Sequence, residues 1–160
     1  MERFPDAAFP ARPQERGLIR ELLLRAFPAQ DEADLVEALR REDRMALELI
    51  TPRDGEVVAY VALCRMVAPD GWLCLAPLAV DPALQGQGLG SHLVRRALDW
   101  AAGRVVVVLG DPDYYGRFGF SGARAARLTS MYPITHTMIA GGGDRVPEGA
   151  LIYPAAFDAL

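Results

Sequence analysis

LAVDPALQGQGLGSHLVRRALDWA, residues 78–101, is the stretch on which the reading of this chain turns. It divides into an apolar strand, an Asp-Pro turn, a glycine-rich loop and a helix that is expected to open at Ser91. Gly86, Gly88 and Gly90 fall on alternate residues immediately before that helix. Glycine has no Cβ, so the backbone can curl tightly and bring its N–H groups close to a ligand. The first turn of a helix leaves N–H donors unpaired, and the aligned peptide dipoles place partial positive charge there. Together these features predict a seat for a phosphate or pyrophosphate. A loop that merely connects strand to helix seldom needs glycines on alternate positions, because each costs backbone entropy.

Working outward, Trp72 to Val80 reads as a strand that is apolar on both faces and therefore central. Pro77 lies inside it, and proline cannot donate to a ladder. The pairing there must be interrupted by a bulge or by strands that splay apart, which would open a slot beside the loop. Beyond the loop, Leu93, Val94, Ala97, Leu98 and Ala101 share one helix face, and Gly103 suits the residue just past the helix end. Val105 to Leu109 is continuously apolar and mostly β-branched, which predicts a buried strand. Strand, crossover helix and strand make a βαβ unit, so these two strands are expected to be parallel.

Towards the N-terminus, Pro5, Pro10 and Pro13 limit any strand to a short one. Gln14 to Phe27 has the apolar spacing of an amphipathic helix, closed by Pro28. Asp31 is expected to cap a second helix running to Arg41, with Leu35, Val36 and Leu39 facing inward. Met45 to Ile50 and Val57 to Met66 read as strands, with turns at Thr51–Gly55 and Ala68–Gly71. Towards the C-terminus, Asp113 to Phe118 reads as a brief helix and Leu128 to Ala140 as strand-like segments. Gly141 to Gly143 reads as a turn and Leu151 to Tyr153 as a last strand. No repeat or linker divides residues 1–160, so the expectation is one α/β (α+β) domain with a mixed central sheet, splayed strands and flanking helices.

Composition narrows the function. The 160 residues carry a net charge of −4, with 51% apolar residues. No block of Lys and Arg marks nucleic-acid binding, and no apolar run approaches membrane-spanning length. MERFPDAAF lacks a secretory pattern, so the cytoplasm is the expected compartment. Cys64 and Cys74 show no metal-ligand spacing and sit in apolar runs, which favours free buried thiols over a disulfide and predicts no metal site.

Residues 78–120 resemble the GNAT superfamily of acyl-CoA-dependent N-acyltransferases. Gln85-Gly86-Gln87-Gly88-Leu89-Gly90 matches that family's Q/R-x-x-G-x-G/A signature. Leu78-Ala79-Val80-Asp81-Pro82 is similar to its lead-in strand. Leu109-Gly110-Asp111-Pro112 and Tyr114-Tyr115-Gly116-Arg117-Phe118-Gly119-Phe120 are similar to its next strand and helix. The order of elements fits across most of the chain, with residues 1–13 and 121–150 matching less well.

The resemblance implies acetyl-CoA as cosubstrate and an amine acceptor, either a small molecule or a peptide. The backbone N–H groups of Gln87, Gly88, Leu89, Gly90 and Ser91, in the loop that opens with Gln85 and Gly86, would hold the pyrophosphate. Leu78, Ala79 and Val80 would pair with the pantetheine arm as though it were an added strand. Tyr115, four residues before Gly119, would protonate the departing thiolate, a transfer suited to a phenol of pKa ~10. The backbone N–H of Leu78 would meet the oxyanion of a tetrahedral intermediate. Asp111 either contacts the pantetheine or the substrate amine, or only begins a turn before Pro112. Tyr114 reads as structural, though its neighbour leaves the choice open. Arg95 or Arg96 would meet the adenosine phosphate or simply be solvated.

No carboxylate lies on Trp72–Val80, so no general base is assigned; Glu48, Glu56, Asp111 and His136 remain open. His136 reads as a strand residue and His92 as exposed. Two other readings compete. A dinucleotide-binding fold is disfavoured by the five residues between strand and first glycine, Asp81 to Gln85, and by the short chain after Asp111. A non-catalytic acyl-CoA-binding sensor would keep the loop and lack turnover. The acceptor, the acyl group and the choice between monomer and homodimer are not legible.

Overall fold

The computed structural model describes residues 8–159; the expectation at Pro5 falls outside them. Strands β1 (Phe9–Pro10), β2 (Met45–Arg53), β3 (Glu56–Arg65), β4 (Leu73–Val80), β5 (Val106–Leu109) and β7 (Thr137–Ala140) form a six-stranded sheet in the order β1-β2-β3-β4-β5-β7. β6 (Leu128–Thr129) and β8 (Gly149–Ala150) form a separate parallel pair. Helices α1 (Arg16–Ala26), α2 (Asp31–Arg41), α3 (Leu89–Ala101) and α4 (Pro112–Tyr115) complete the regular structure. Within the large sheet only β4 and β5 run parallel, as the βαβ unit requires. The antiparallel neighbours on either side exclude a doubly wound dinucleotide-binding sheet.

β3 is buried over all but its end residues. Its side chains alternate between two apolar layers, following the period of two of a strand. Val61 and Leu63 pack with Leu93, Val94 and Ala97 of α3. Tyr60 and Ala62 pack with Ile19, Leu22 and Leu23 of α1. The sheet is therefore covered on both faces, and α3 holds the glycine loop against β4. α2 carries Asp31, Glu32 and Asp34 in its first turn and Arg40 and Arg41 in its last, complementing its dipole at both ends.

At Pro77 the structure shows both a bulge and a splay. Val61 stands opposite Leu78, and Leu63 opposite Leu75, so β4 carries an extra residue across from Ala62. On its other side β4 pairs with β5 only at Leu73 and Cys74. From Leu75 onward its β5-facing edge has no strand partner among the described residues. Cys64 and Cys74 lie directly across from each other on β3 and β4, buried and free. Contact with Cys64 and burial push the Cys74 thiol well above its usual range.

Several boundaries differ from the sequence expectations. β2 continues through Thr51 to Arg53, so the turn contracts to Asp54 and Gly55. α2 is preceded by Gln30, and Asp31 is its first residue rather than its cap. α3 opens at Leu89, not Ser91, with Gly88 as the preceding residue. Between Leu128 and Ala140 only the two short strands β6 and β7 form; His136 lies in a 3-10 turn and is exposed. Leu151–Tyr153 is not a strand: Gly149–Ala150 pairs with β6, and Ile152 makes a single bridge to Ala68. No described helix is long and apolar enough to cross a membrane.

Candidate active site

Between β4 and α3 the chain makes one 3-10 turn, Pro82–Leu84, capped by the Asp81 carboxylate accepting from the Ala83 N–H at 3.0 Å. Gly86 and Gly88 then adopt φ of +81° and +85°, a region that L side chains rarely enter. These two residues reverse the chain so that the first turn of α3 faces outward. The first recorded backbone bond of that turn is His92 N–H to the Gly88 carbonyl, at 3.0 Å. Among the described residues, no protein acceptor takes the N–H groups of Gln87 to Ser91.

The loop opens onto a cleft of about 550 Å³ whose floor is Leu78 and Val80 of β4 and whose rim is Gln85, Gly86 and Gly88 to Ser91. Gln87, exposed, is not part of the lining. Gln85 turns inward, its Nε2 donating to the Val80 carbonyl at 3.4 Å. Ala79 is buried on the opposite face of the sheet, in the layer with α1, so only its main chain is available to the cleft side. Gly90 has a different reason to be glycine. A Cβ there would stand 3.0 Å from the Tyr114 hydroxyl and 3.3 Å from Val80 Cγ2, so both side-chain ends would have to give way by a few tenths of an ångström.

The two adjacent tyrosines occupy different surroundings. Tyr114 lines the cleft, with its hydroxyl over the first turn of α3. Tyr115 packs edge-on against Phe120 and belongs to the apolar layer between α3 and the sheet. Its ring lies on Gly110 at the end of β5, where a Cβ would come within 2.7 Å of it. Burial foremost, then the neighbouring Tyr114 and Cys74, push the Tyr115 phenol up to about 12. It therefore holds its proton at every physiological pH.

Arg117, which carried no signal in the sequence, also lines the cleft. Its guanidinium lies 4.6 Å from the centre of the Tyr114 ring and 5.3 Å from that of Phe118. It donates to the Tyr114 carbonyl at 3.2 Å and to Ser91 Oγ at 3.4 Å. Arg95 lies over the same Phe118, 5.1 Å from the ring centre. The residue separation of 26 between Arg117 and Ser91 is one that no local spacing rule reaches.

The carboxylates and histidines left open as bases are placed as follows. Glu48 is held by Arg40, with Nη2 to Oε1 at 2.7 Å, and accepts from the Tyr60 hydroxyl at 2.7 Å. Burial is the largest influence on Arg40 and opposes its charge, but the hydrogen bond and charge of Glu48, with smaller contributions from Tyr60 and Glu37, together outweigh it and raise the guanidinium pKa. Burial, then the Glu48 charge, push Tyr60 well above the usual phenol range. Asp111 precedes α4 and accepts from the Asp113 N–H at 2.9 Å. Glu56 is exposed at the start of β3. His92 is half-buried rather than exposed, with an Nε2 that has no hydrogen-bond partner among the described residues. No group of three His, Cys, Asp or Glu side chains among the described residues is placed to hold a metal ion.

Residues 17–120 match the acetyltransferase (GNAT) family, and the chain belongs to that family. It is 40% identical over 129 residues to the uncharacterised N-acetyltransferase YhbS of Escherichia coli K12, covering 74% of this chain and 75% of that one. The uncharacterised N-acetyltransferase YjhQ of the same organism is 38% identical over 128 residues, covering 72% of this chain and 70% of that one. The crystal structure of E. coli YhbS in complex with CoA superimposes with a TM-score of 0.86 and 32% identity, over 99% of this chain and 96% of that one. A GNAT family acetyltransferase from Brucella melitensis in complex with acetyl-CoA gives a TM-score of 0.81 and 33% identity, over 94% and 97%.

Proposed function

We propose that this protein is an N-acetyltransferase that moves an acetyl group from acetyl-CoA to an amine by direct attack. The observation that carries the reading is the run of unpaired amides from Gln87 to Ser91, set beside a β4 edge that β5 has left. A diphosphate suits those amides, since N–H donors at a helix N-terminus favour an anion. An arm with peptide-like amides suits the open edge of β4, which offers main-chain groups as an added strand would require. Similar proteins of this fold crystallised with CoA and with acetyl-CoA support the same choice.

Bound there, acetyl-CoA would supply the acyl group as a thioester. The chain's own residues then have separate tasks. Gly88 to Ser91 hold the phosphates, and Leu78 and Val80 align the arm along β4. The Leu78 N–H, beside the bulge, is assigned to the developing oxyanion. Tyr115, protonated and largely shielded from water, is assigned as the acid that gives its proton to the leaving thiolate. Glu48 is engaged by Arg40 and Tyr60, so the acceptor amine reaches the site already neutral or loses its proton through water. The acceptor is assigned to the class of primary amines, in a cytoplasmic protein acting as monomer or homodimer.

The test is an acceptor screen. Incubation with acetyl-CoA and a panel of polyamines, amino acids and peptides, read by thiol release and product mass, is expected to give acetylated amine and free CoA in equal amounts. Saturable coenzyme binding with no thiol release across the panel would make the protein a coenzyme-binding module instead.

A further inference from the structure

A guanidinium set against the positive end of a helix is an unfavourable arrangement unless an anion lies between them. Arg117 is such a group. It reaches Ser91 in the first turn of α3, beside amides that are themselves unpaired. Among the described residues no carboxylate lies within ion-pairing distance of it, although acidic side chains are numerous elsewhere on this net-negative chain. Its guanidinium is stacked over Tyr114 and Phe118, and its Nε donates to the Tyr114 carbonyl. Stacking on aromatic faces orients the planar fork, and Arg117 lines the cleft. Tyr114 beneath it presents a hydroxyl to the same space, with no hydrogen-bond partner among the described residues.

We propose that Arg117 and Tyr114 form the second half of the phosphate seat, so that the coenzyme's diphosphate is gripped between the α3 amides on one side and a guanidinium and phenol on the other. This rests on the acetyl-CoA reading above and divides the work of the consecutive tyrosines: Tyr114 holds phosphate, and Tyr115 handles the proton. Because Arg117 touches the turn that carries Ser91, its partner is the diphosphate rather than the phosphate on the ribose.

The experiment is calorimetric titration of the wild type, Arg117→Met and Tyr114→Phe with CoA and with dephospho-CoA, at low and moderate salt. Methionine keeps an apolar stem over the two rings while removing the charge. Loss of a charge-assisted contact is expected to weaken both ligands about tenfold in Arg117→Met. The same variant should show a shallower dependence of affinity on salt, because one cation no longer takes part. Tyr114→Phe should weaken both ligands by a smaller factor, roughly threefold for one neutral hydrogen bond. Unchanged affinity in Arg117→Met overturns the proposal, and so does a loss confined to CoA, which would move Arg117 to the ribose phosphate. Loss of affinity with an unaltered salt dependence also overturns it, since a packing role would act that way. A wild type that binds neither ligand would instead defeat the acetyl-CoA reading on which the proposal stands.

Discussion

Tyr115 and Tyr114 are neighbours in the chain, yet one is set in an apolar layer and the other at the wall of a cleft. Tyr115→Phe removes only the hydroxyl and should leave the packing on Phe120 and Gly110 intact. We expect kcat to fall roughly 10²-fold, the usual size of a general-acid contribution, with coenzyme affinity nearly intact. Steady-state kinetics beside a direct binding measurement checks the split; lost affinity would mean the side chain only packs. Gly90→Ala tests the opposite wall. Alanine gains up to about 1 kcal/mol over glycine inside a helix. Its Cβ would press on the Tyr114 hydroxyl, which is the movable end of a side chain. The expected result is a melting temperature no lower than the wild type's together with weaker coenzyme binding. At this scale the loop residues and the tyrosine pair could be singled out in the sequence because each belongs to a short contiguous motif. Arg117 could not, since only the folded chain brings α4 and the following 3-10 turn onto the first turn of α3. The base candidates looked open because a sequence does not show that Glu48 already belongs to Arg40 and Tyr60.

Among the elements, β4 is the one whose reading mattered most. A proline within an apolar strand announced broken pairing, and both a bulge and a splay occur there, because the strand must lose a donor and add a residue at the same place. The helices and long strands were legible for the ordinary reason that eight or more residues carry a clear period. The region from Leu128 to Tyr153 was not. Its ladders are only a few residues long, and its order comes from Leu128, Leu151 and Tyr153 packing onto Leu35 and Leu39 of α2 with Cys74 and Val107. A second device ties α2 to the sheet: the Arg40–Glu48 pair, with side chains only 12% and 15% exposed. Breaking a buried pair from one side strands the other charge. Glu48→Ala is therefore expected to destabilise the fold by about 3–5 kcal/mol, measured by denaturant unfolding. A change below about 1 kcal/mol would show that water reaches Arg40 freely.

Taken whole, the molecule buries phenols whose environments favour the neutral form. Tyr60, Tyr115 and Tyr153 are each raised, chiefly by burial. In the unfolded chain they would ionise near ~10. Below that pH both states are protonated and the groups leave stability unchanged with pH. Above it the unfolded state loses protons first, so stability falls as pH rises from ~10 towards the folded value, about 12 for Tyr115. Each such group contributes a slope of about 1.4 kcal/mol per pH unit. The expected outcome is a steep fall in melting temperature beginning near pH ~10, with Tyr60, Tyr115 and Tyr153 ionising only as the protein unfolds. Ionisation of all five tyrosines without unfolding would contradict this burial. The same sheet that shields these phenols also fixes the spacing between the β4 edge and the amides of α3, on which the functional reading depends. The most direct measurement is calorimetric titration with CoA of the wild type and of Gly88→Val, whose side chain is incompatible with the +85° turn. A saturating exothermic isotherm for the wild type and none for the variant is the result expected. No saturation in the wild type at millimolar CoA, or equal affinity in both proteins, would contradict the account.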